Sequence, residues 1–302
     1  MQINRSDLLD FSHFLAIARH GNFRLAGLEQ GVTASALSHS LKGLEARLGV
    51  RLLNRTSRSV TLTAAGEELF ASISEPFQAI GLAVEGLNRF RAEPAGRIRL
   101  NVLEEASTLL LAPVLPIFFK RYPAVELEVS VSNRMVDIVG EGFDAGIRWG
   151  GTVPDDMIAR RLSADVRWVV VGSPKYLEKT GIPKVPEDLL SHQGVRIRLG
   201  NGGRYDWELE GKGREIALDV PGPITIDNTQ FTLQLVSRGG GLAYLPEPTV
   251  IPYVQRGELV RVLDDWAPLG PGLHMYYSGR HQVPTGLRLL IDIIRELQPL
   301  GL

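Results

Sequence analysis

Leu37, Leu41, Leu44 and Leu48 step by four, three and four, a spacing that lays one apolar stripe along a helix between Thr33 and Gly49. Thr33 stands where an N-cap is expected, Gly31 closes the helix before it as a left-handed cap, and Gly49 ends the stretch. Facing away from the stripe are Ser35, Ala36, Ser38, His39, Lys42 and Gly43, with Glu45 the one acid on that side. A helix that serves packing alone more often alternates Glu and Lys on its outer face. This one presents a rod of small, hydrogen-bonding side chains. Upstream, Leu8, Leu9, Phe11, Phe14, Leu15 and Ile17 mark an apolar helical face over Gln2–Arg19 that ends at Gly21. Three helices with a glycine-bearing turn before the third predict a helix-turn-helix. Downstream, Val50–Leu62 carries two short β-like runs around a polar tip, a hairpin or wing bearing Arg51, Arg55 and Arg58 and no acidic residue. Basic side chains beside such a helix are what phosphate neutralisation needs.

Past the hairpin the period changes. Thr63 is placed to cap a long helix reaching about Arg91, in which Ile73, Phe77, Ile80, Val84 and Leu87 form a heptad seam. A seam of that length meets another helix, in its own domain or in a second copy of the chain, and the small separate modules on either side favour dimerisation. Pro76 falls inside it and predicts a kink or a weakened turn. Residues 92–96 read as a Pro/Gly hinge. Strand patterns then occur at Arg97–Leu103, Val125–Val131, Ala145–Arg148, Arg167–Val171, Val195–Leu199, Leu242–Leu245 and Leu273–Tyr277. Helical ones alternate with them at Ser107–Tyr122, Arg134–Gly140, Pro174–Lys179, Thr229–Ser237 and Pro284–Leu297. The closing strand and helix lack a partner unless they return to the first set. That gives an α/β domain of two lobes, lobe I over residues 97–164 and 268–302 and lobe II over 165–267, with a hinged cleft suited to a small molecule.

In open α/β sheets ligands settle outside strand C-termini and on helix N-termini. The candidate loops are therefore 104–108, 132–134, 149–152, 198–204 and 227–229. They offer Glu105, Ser107, Thr108, Ser132, Arg134, Trp149, Arg198, Asn228 and Thr229 as candidate contacts, with simple N-capping the alternative role of each hydroxyl. Glu104 and Glu105 would repel an anion unless Arg134 and Arg198 offset them or the glutamates point outward. The pattern leaves the ligand's charge open.

Composition narrows the classes. The 302 residues are 44% hydrophobic and 22% charged, an ordinary globular balance with room for two or three cores. A net charge of -1 excludes a global attraction to nucleic acid, so DNA affinity has to come from a local patch; Lys42, Arg47, Arg51, Arg55 and Arg58 face only Glu45 there. Zero cysteines exclude disulfides, thiolate metal sites and cysteine nucleophiles and fit a reducing cytosol. No secretion signal is expected in Met1–Leu25, which argues against an exported solute-binding protein, and no run nears the roughly 18 apolar residues of a membrane span. The six histidines lack metal-ligand spacing, and the glycine clusters near 140 and 200 complete neither a dinucleotide fingerprint nor a P-loop. Asp155–Asp156 and Asp264–Asp265 read as solvated turns without a nucleophile nearby, so an enzyme is not expected. For Trp149, Trp168, Trp207 and Trp266, pocket lining competes with core packing.

The run from Asn22–Phe23 to Leu48–Gly49, followed by Leu52–Leu53–Asn54–Arg55 and Leu62–Thr63–Ala64–Ala65–Gly66, resembles the LysR-type transcriptional regulators, and length and element order extend the likeness over the whole chain. The resemblance implies a winged helix-turn-helix over residues 1–62, a long linker helix for dimerisation over 63–91, a hinge over 92–96 and, over 97–302, a two-lobed effector domain like those of periplasmic solute-binding proteins. It further implies a cytoplasmic dimer or tetramer on double-stranded DNA carrying an interrupted inverted repeat. No cofactor is expected beyond a small organic effector, often an aromatic or small carboxylate among relatives, and RNA polymerase is a further partner. Thr33, Ser35, Ala36, Ser38, His39 and Lys42 would then contact DNA, with Ala36, Ser38 and His39 nearest the bases, Lys42 at a phosphate, and Arg55 and Arg58 at the backbone or minor groove.

Family members commonly carry arginine at the place of His39. A histidine there loses the guanidinium fork that pairs with guanine, which leaves the operator sequence open.

Overall fold

The computed structural model describes residues 5–55, 60–85, 87, 93–200, 202–279 and 283–302. The chain folds as two compact units, the first formed mainly by residues up to Glu93 and the second by Pro94–Val136, Asp144–Gly279 and Gly286–Leu302.

The first unit is three helices and a wing. Helix α1 spans Arg5–His20, α2 Phe23–Gln30 and α3 Ala34–Leu48. Leu37, Leu41 and Leu44 are fully withdrawn from solvent and pack with Phe11, Phe14, Ile17, Leu52 and Leu53. The punctuation that bounds α3 is local. The Thr33 hydroxyl accepts from the Ala36 amide at 3.1 Å, and Gly31 and Gly49 take φ of 66° and 72°, a left-handed region that residues with a Cβ enter at a cost. A second, polar seam joins α1 to α3. Arg47 binds Asp7 at 2.9 Å and also Asp10, and Ser40 bridges Asp10 to His13.

Strands β1, Leu53–Arg55, and β2, Val60–Leu62, pair antiparallel as the wing; Arg58 at its tip lies outside the described residues. Helix α4, Ala64–Glu85, begins against the same core. Thr63 caps it, its hydroxyl accepting from the Gly66 amide at 3.0 Å. A Cβ on Gly66 would lie 2.0 Å from the Leu52 carbonyl, so only glycine allows that approach. The heptad seam splits. Ile73 and Phe77 pack onto the core of their own unit, whereas Ile80, Val84 and Leu87 stay 58%, 57% and 55% exposed. Pro76 lies inside α4 and the helix continues past it; the extension toward Arg91 falls largely outside the described residues.

The second unit holds the two lobes. In lobe I, β3 (Gly96–Val102) pairs in parallel with β4 (Val125–Val131) and β5 (Ala145–Trp149). A π-turn, Ala106–Leu111, leads from β3 into α5, Ala112–Arg121. At the far edge lies β6, Met157–Arg161. Lobe II contains β7 (Val166–Gly172), α6 (Pro174–Thr180), β8 (Val195–Arg198), β9 (Arg204–Tyr205) and the hairpin β10–β11 (Trp207–Gly211, Arg214–Leu218). It continues through β12 (Ile224–Ile226), α7 (Thr229–Ser237), β13 (Leu242–Pro246), α8 (Glu247–Gln255) and β14 (Val260–Val262), and β15 (Leu269–Gly270) pairs back onto β7. The chain then returns to lobe I, where β16 (Leu273–Ser278) lies between β5 and β6 ahead of α9 (Thr285–Leu297).

Strand β7 sits at the centre of lobe II because both its faces are apolar. Val170 belongs to one buried cluster with Tyr244 and Trp207, and Val169 and Val171 to another with Leu233 and Leu245. The helix expected over Arg134–Gly140 is absent, which corrects the sequence reading. The Asp137 carboxylate accepts from the Val139 and Gly140 amides at 3.1 and 3.0 Å, a turn that competes with the helical ladder.

Candidate DNA interface and interlobe cavity

The outward face of α3 is built by what its inner face buries. With the leucine stripe turned inward, Thr33, Ser35, Ala36, His39 and Lys42 are exposed. Ser38 is half-buried, and its hydroxyl accepts from Arg55 at 3.2 Å. Arg55 also pairs with Glu45 at 3.3 Å and stacks over the Phe23 ring at 5.1 Å from its centre. Glu45 in turn accepts from the Leu52 and Leu53 amides at 2.8 and 3.2 Å. The supposed lone acid of the patch is therefore the post that ties the wing to α3, with Arg55 as its brace. Arg47 leaves the patch as well, because Asp7 and Asp10 hold it. Lys42 and Arg51 remain exposed.

In the second unit a cavity of about 570 Å³ opens between the lobes, within the range of small-molecule sites. Of the expected contacts, Glu105, Trp149, Arg198, Asn228 and Thr229 line it. Ser107, Thr108, Ser132 and Arg134 do not. The Ser107 and Thr108 hydroxyls donate to the Glu104 carbonyl of their own helical turn at 2.7 and 3.1 Å, and Ser132 accepts from the Arg134 amide at 3.2 Å in a loop where Arg134 points to solvent. The glutamates resolve differently from either reading of the sequence. Glu104 crosses to lobe II and accepts from the Thr229 and Gln230 amides at 2.8 and 3.0 Å, while Glu105 accepts from the Thr229 hydroxyl. Since Asn228 caps the Phe231 amide at 2.7 Å, the first turn of α7 has its free N–H groups already occupied.

Trp168, for which pocket lining competes with core packing, lines the cavity, and so do Tyr205, Tyr244 and Arg148, which the sequence pattern does not single out. Trp168, Tyr205 and Tyr244 form a tilted aromatic wall, with Trp149 edge-on to Trp168 at 5.8 Å. Trp207 and Trp266 are core residues. Arg148, on β5, is 3% exposed and lines the cavity. Burial pulls its guanidinium below the ordinary arginine value, and burial pushes the Glu105 carboxyl up, opposed by the Thr229 hydroxyl and reinforced by neighbouring Glu104.

Residues 8–67 match the family described as "Bacterial regulatory helix-turn-helix protein, lysR family", and residues 91–299 match "LysR substrate binding domain". A transcriptional regulator of Pseudomonas aeruginosa is 38% identical, covering 98% of this chain and 97% of its own. The HTH-type transcriptional regulator YcaN of Escherichia coli is 37% identical, covering 97% and 96%. Among solved structures, the full-length Vibrio cholerae virulence activator AphB is similar with a TM-score of 0.68 at 25% identity, over 96% of this chain and 99% of that one. CrgA, a LysR-type transcriptional regulator from Neisseria meningitidis, is similar with a TM-score of 0.60 at 26% identity, over 98% and 99%.

The raised Glu105 value has a signed consequence. Between the ordinary glutamate value of 4.5 and the raised one, the folded chain holds a proton that the unfolded chain has lost, so stability falls as pH rises through that interval. Glu105→Gln keeps the acceptor for Thr229 and removes the charge. Its melting temperature relative to the parent should rise from acidic to neutral pH. A difference that does not change with pH would show that Glu105 is not a buried acid.

Proposed function

The chain belongs to the LysR-type transcriptional regulators, DNA-binding proteins with an effector-binding domain rather than enzymes, and from that premise we propose how this one reads DNA and responds to a ligand. Helix α3 enters the major groove with Ser35, Ala36 and His39 toward base edges and Thr33 and Lys42 toward the backbone. Arg51 and the wing tip with Arg58 meet phosphates. Arg55, braced by Ser38 and Glu45, holds the wing at the angle this needs.

Two copies pair through the exposed apolar residues Ile80 and Val84 of α4 and Leu87 beyond its end, which their own unit leaves uncovered. The dimer, or a tetramer made from two of them, binds an interrupted inverted repeat in the cytoplasm and acts on RNA polymerase there. Among the described residues no helix is long and apolar enough to cross a membrane. The effector is a small organic molecule in the interlobe cavity, and it shifts the protein toward whichever arrangement of the lobes it binds better.

The observation that carries the reading is α3 itself, a helix whose buried leucines leave a continuous outer face of small, polar and basic side chains. Nuclease protection of the DNA upstream of this gene tests it. Two protected half-sites related by a dyad are expected, their centres a whole number of turns of about 10.5 bp apart. One unsymmetrical protected block, or none, would overturn the arrangement.

A further inference from the structure

Gly200, Gly202 and Gly203, which complete no phosphate-binding motif, do not all serve one purpose. Gly202 has a φ of 88° and open space where a Cβ would stand, so the turn that joins β8 to β9 is what requires it. That turn closes on itself: the Gly202 amide donates to the Leu199 carbonyl at 2.9 Å, and the Leu199 amide to the Gly203 carbonyl at 2.8 Å. Gly200 lies outside the left-handed region, so its own backbone does not ask for glycine. The reason stands on the other lobe. A Cβ at 200 would lie 2.4 Å from the Asn133 carbonyl oxygen and 2.9 Å from the Met135 nitrogen, both main-chain atoms of lobe I.

Strands β8 and β12 are parallel neighbours with Ile197 level with Ile226, so their C-terminal ends leave the sheet side by side. Both ends reach one short stretch of lobe I. From β12, the Asp227 carbonyl accepts from the Asn133 side-chain nitrogen, and the oxygen of that side chain accepts from the Glu104 amide at 3.1 Å. From β8, the Gly200 carbonyl accepts from the Met135 amide at 3.4 Å. Asn133, Met135, Leu199 and Gly200 all line the cavity, so this contact is part of its wall. The two attachments differ in kind. Asn133 is fixed through its side chain, whereas Gly200 is held by one hydrogen bond at the long end of the range and a bare approach of main chain to main chain. A contact of that sort can open locally while the strands behind it stay paired.

We propose that residues 198–200 form a strap on the cavity wall, closed onto lobe I through Gly200 and lifted when a ligand enters or leaves. The proposal rests on the reading of this cavity as the regulatory site and adds how its wall opens, whatever the ligand's chemistry. Straps of this kind shut out solvent when closed and move about a few element-terminal positions. Here the strap is the end of β8, and the turn holding Gly202 follows it. A methyl group at 200 would meet main-chain atoms that no change of rotamer can move aside. The same group at 202 meets nothing and strains only the turn. Alanine at each position therefore separates closure of the strap from folding of the turn.

Hydrogen exchange and acrylamide quenching of full-length Gly200→Ala and Gly202→Ala test this. Trp149 and Trp168 line the cavity while Trp207 and Trp266 sit in the core of lobe II, so added quenching reports access to the cavity. In Gly200→Ala the Met135 amide should exchange about tenfold faster than in the parent chain, and quenching should rise, with the Leu199 and Gly202 amides still protected. Gly202→Ala should instead loosen the Leu199 and Gly202 amides more than Met135. Unchanged Met135 exchange and quenching in Gly200→Ala, or the same response from both variants, would overturn the proposal. If Gly200→Ala does not fold, the parent chain decides alone: a strap that opens locally exchanges Met135 faster than Val170 of strand β7, and equal rates would overturn it. Titrating Gly200→Ala against operator DNA separates this from the regulatory reading. A chain whose cavity is opened but whose operator affinity matches the parent sinks the gating and spares the strap.

Discussion

Three leucines decide what the amino-terminal unit can offer to its surroundings. Leu37, Leu41 and Leu44 have no exposure at all, and a helix has only one way to bury residues at that spacing. Turning them inward forces Ser35, Ala36, His39 and Lys42 outward. A polar seam resists rotation of the helix once it is seated, because Arg47 and Ser40 are both engaged by acids of α1. The wing is attached to the same helix by Glu45 and Arg55. Helix α3 and the wing are therefore fixed to each other by contacts within the unit.

The effector half solves a comparable problem with charge. Glu104 satisfies the amides that open α7, and Asn133 donates to the Asp227 carbonyl beside it, so the lobes are held together around the cavity by hydrogen bonds from lobe I to the backbone of lobe II. Such contacts are individually modest, about 0.5–1.5 kcal/mol net for a neutral pair and more for a charged acceptor. A ligand of ordinary affinity competes with them on equal terms. An interlobe arrangement of that strength can be biased by a small molecule without unfolding either lobe.

Much of this was legible in the sequence, and the failures have local causes. Val125–Val131 and Thr229–Ser237 have the limits their patterns predict, because an alternating strand and a helix with an Asn cap carry their boundaries in their own residues. Arg134–Gly140 misled because its apolar spacing is helical while Asp137 captures the following amides. The β10–β11 hairpin was missed because its two-residue turn is Lys212–Gly213, both at positive φ (52° and 74°), where Asn–Gly is the usual signal. Arg148 could not be picked out, since an arginine in a strand is ordinarily exposed and its burial is a property of the packed sheet. Glu45, Arg47 and Arg55 were read as a charge balance when they are in fact partners with fixed addresses. Counting charges along a segment gives the sign of a patch and says nothing about which members are already spent.

The central claim is that the outward face of α3 reads base sequence, and replacing His39 with alanine tests it most directly. The protein's affinity for its operator and for a random duplex of equal length would be measured at one salt concentration. The account predicts a loss of about 1–3 kcal/mol on the operator, with random-duplex binding nearly unchanged because the phosphate contacts survive. An equal loss on both duplexes, or none on either, would contradict it.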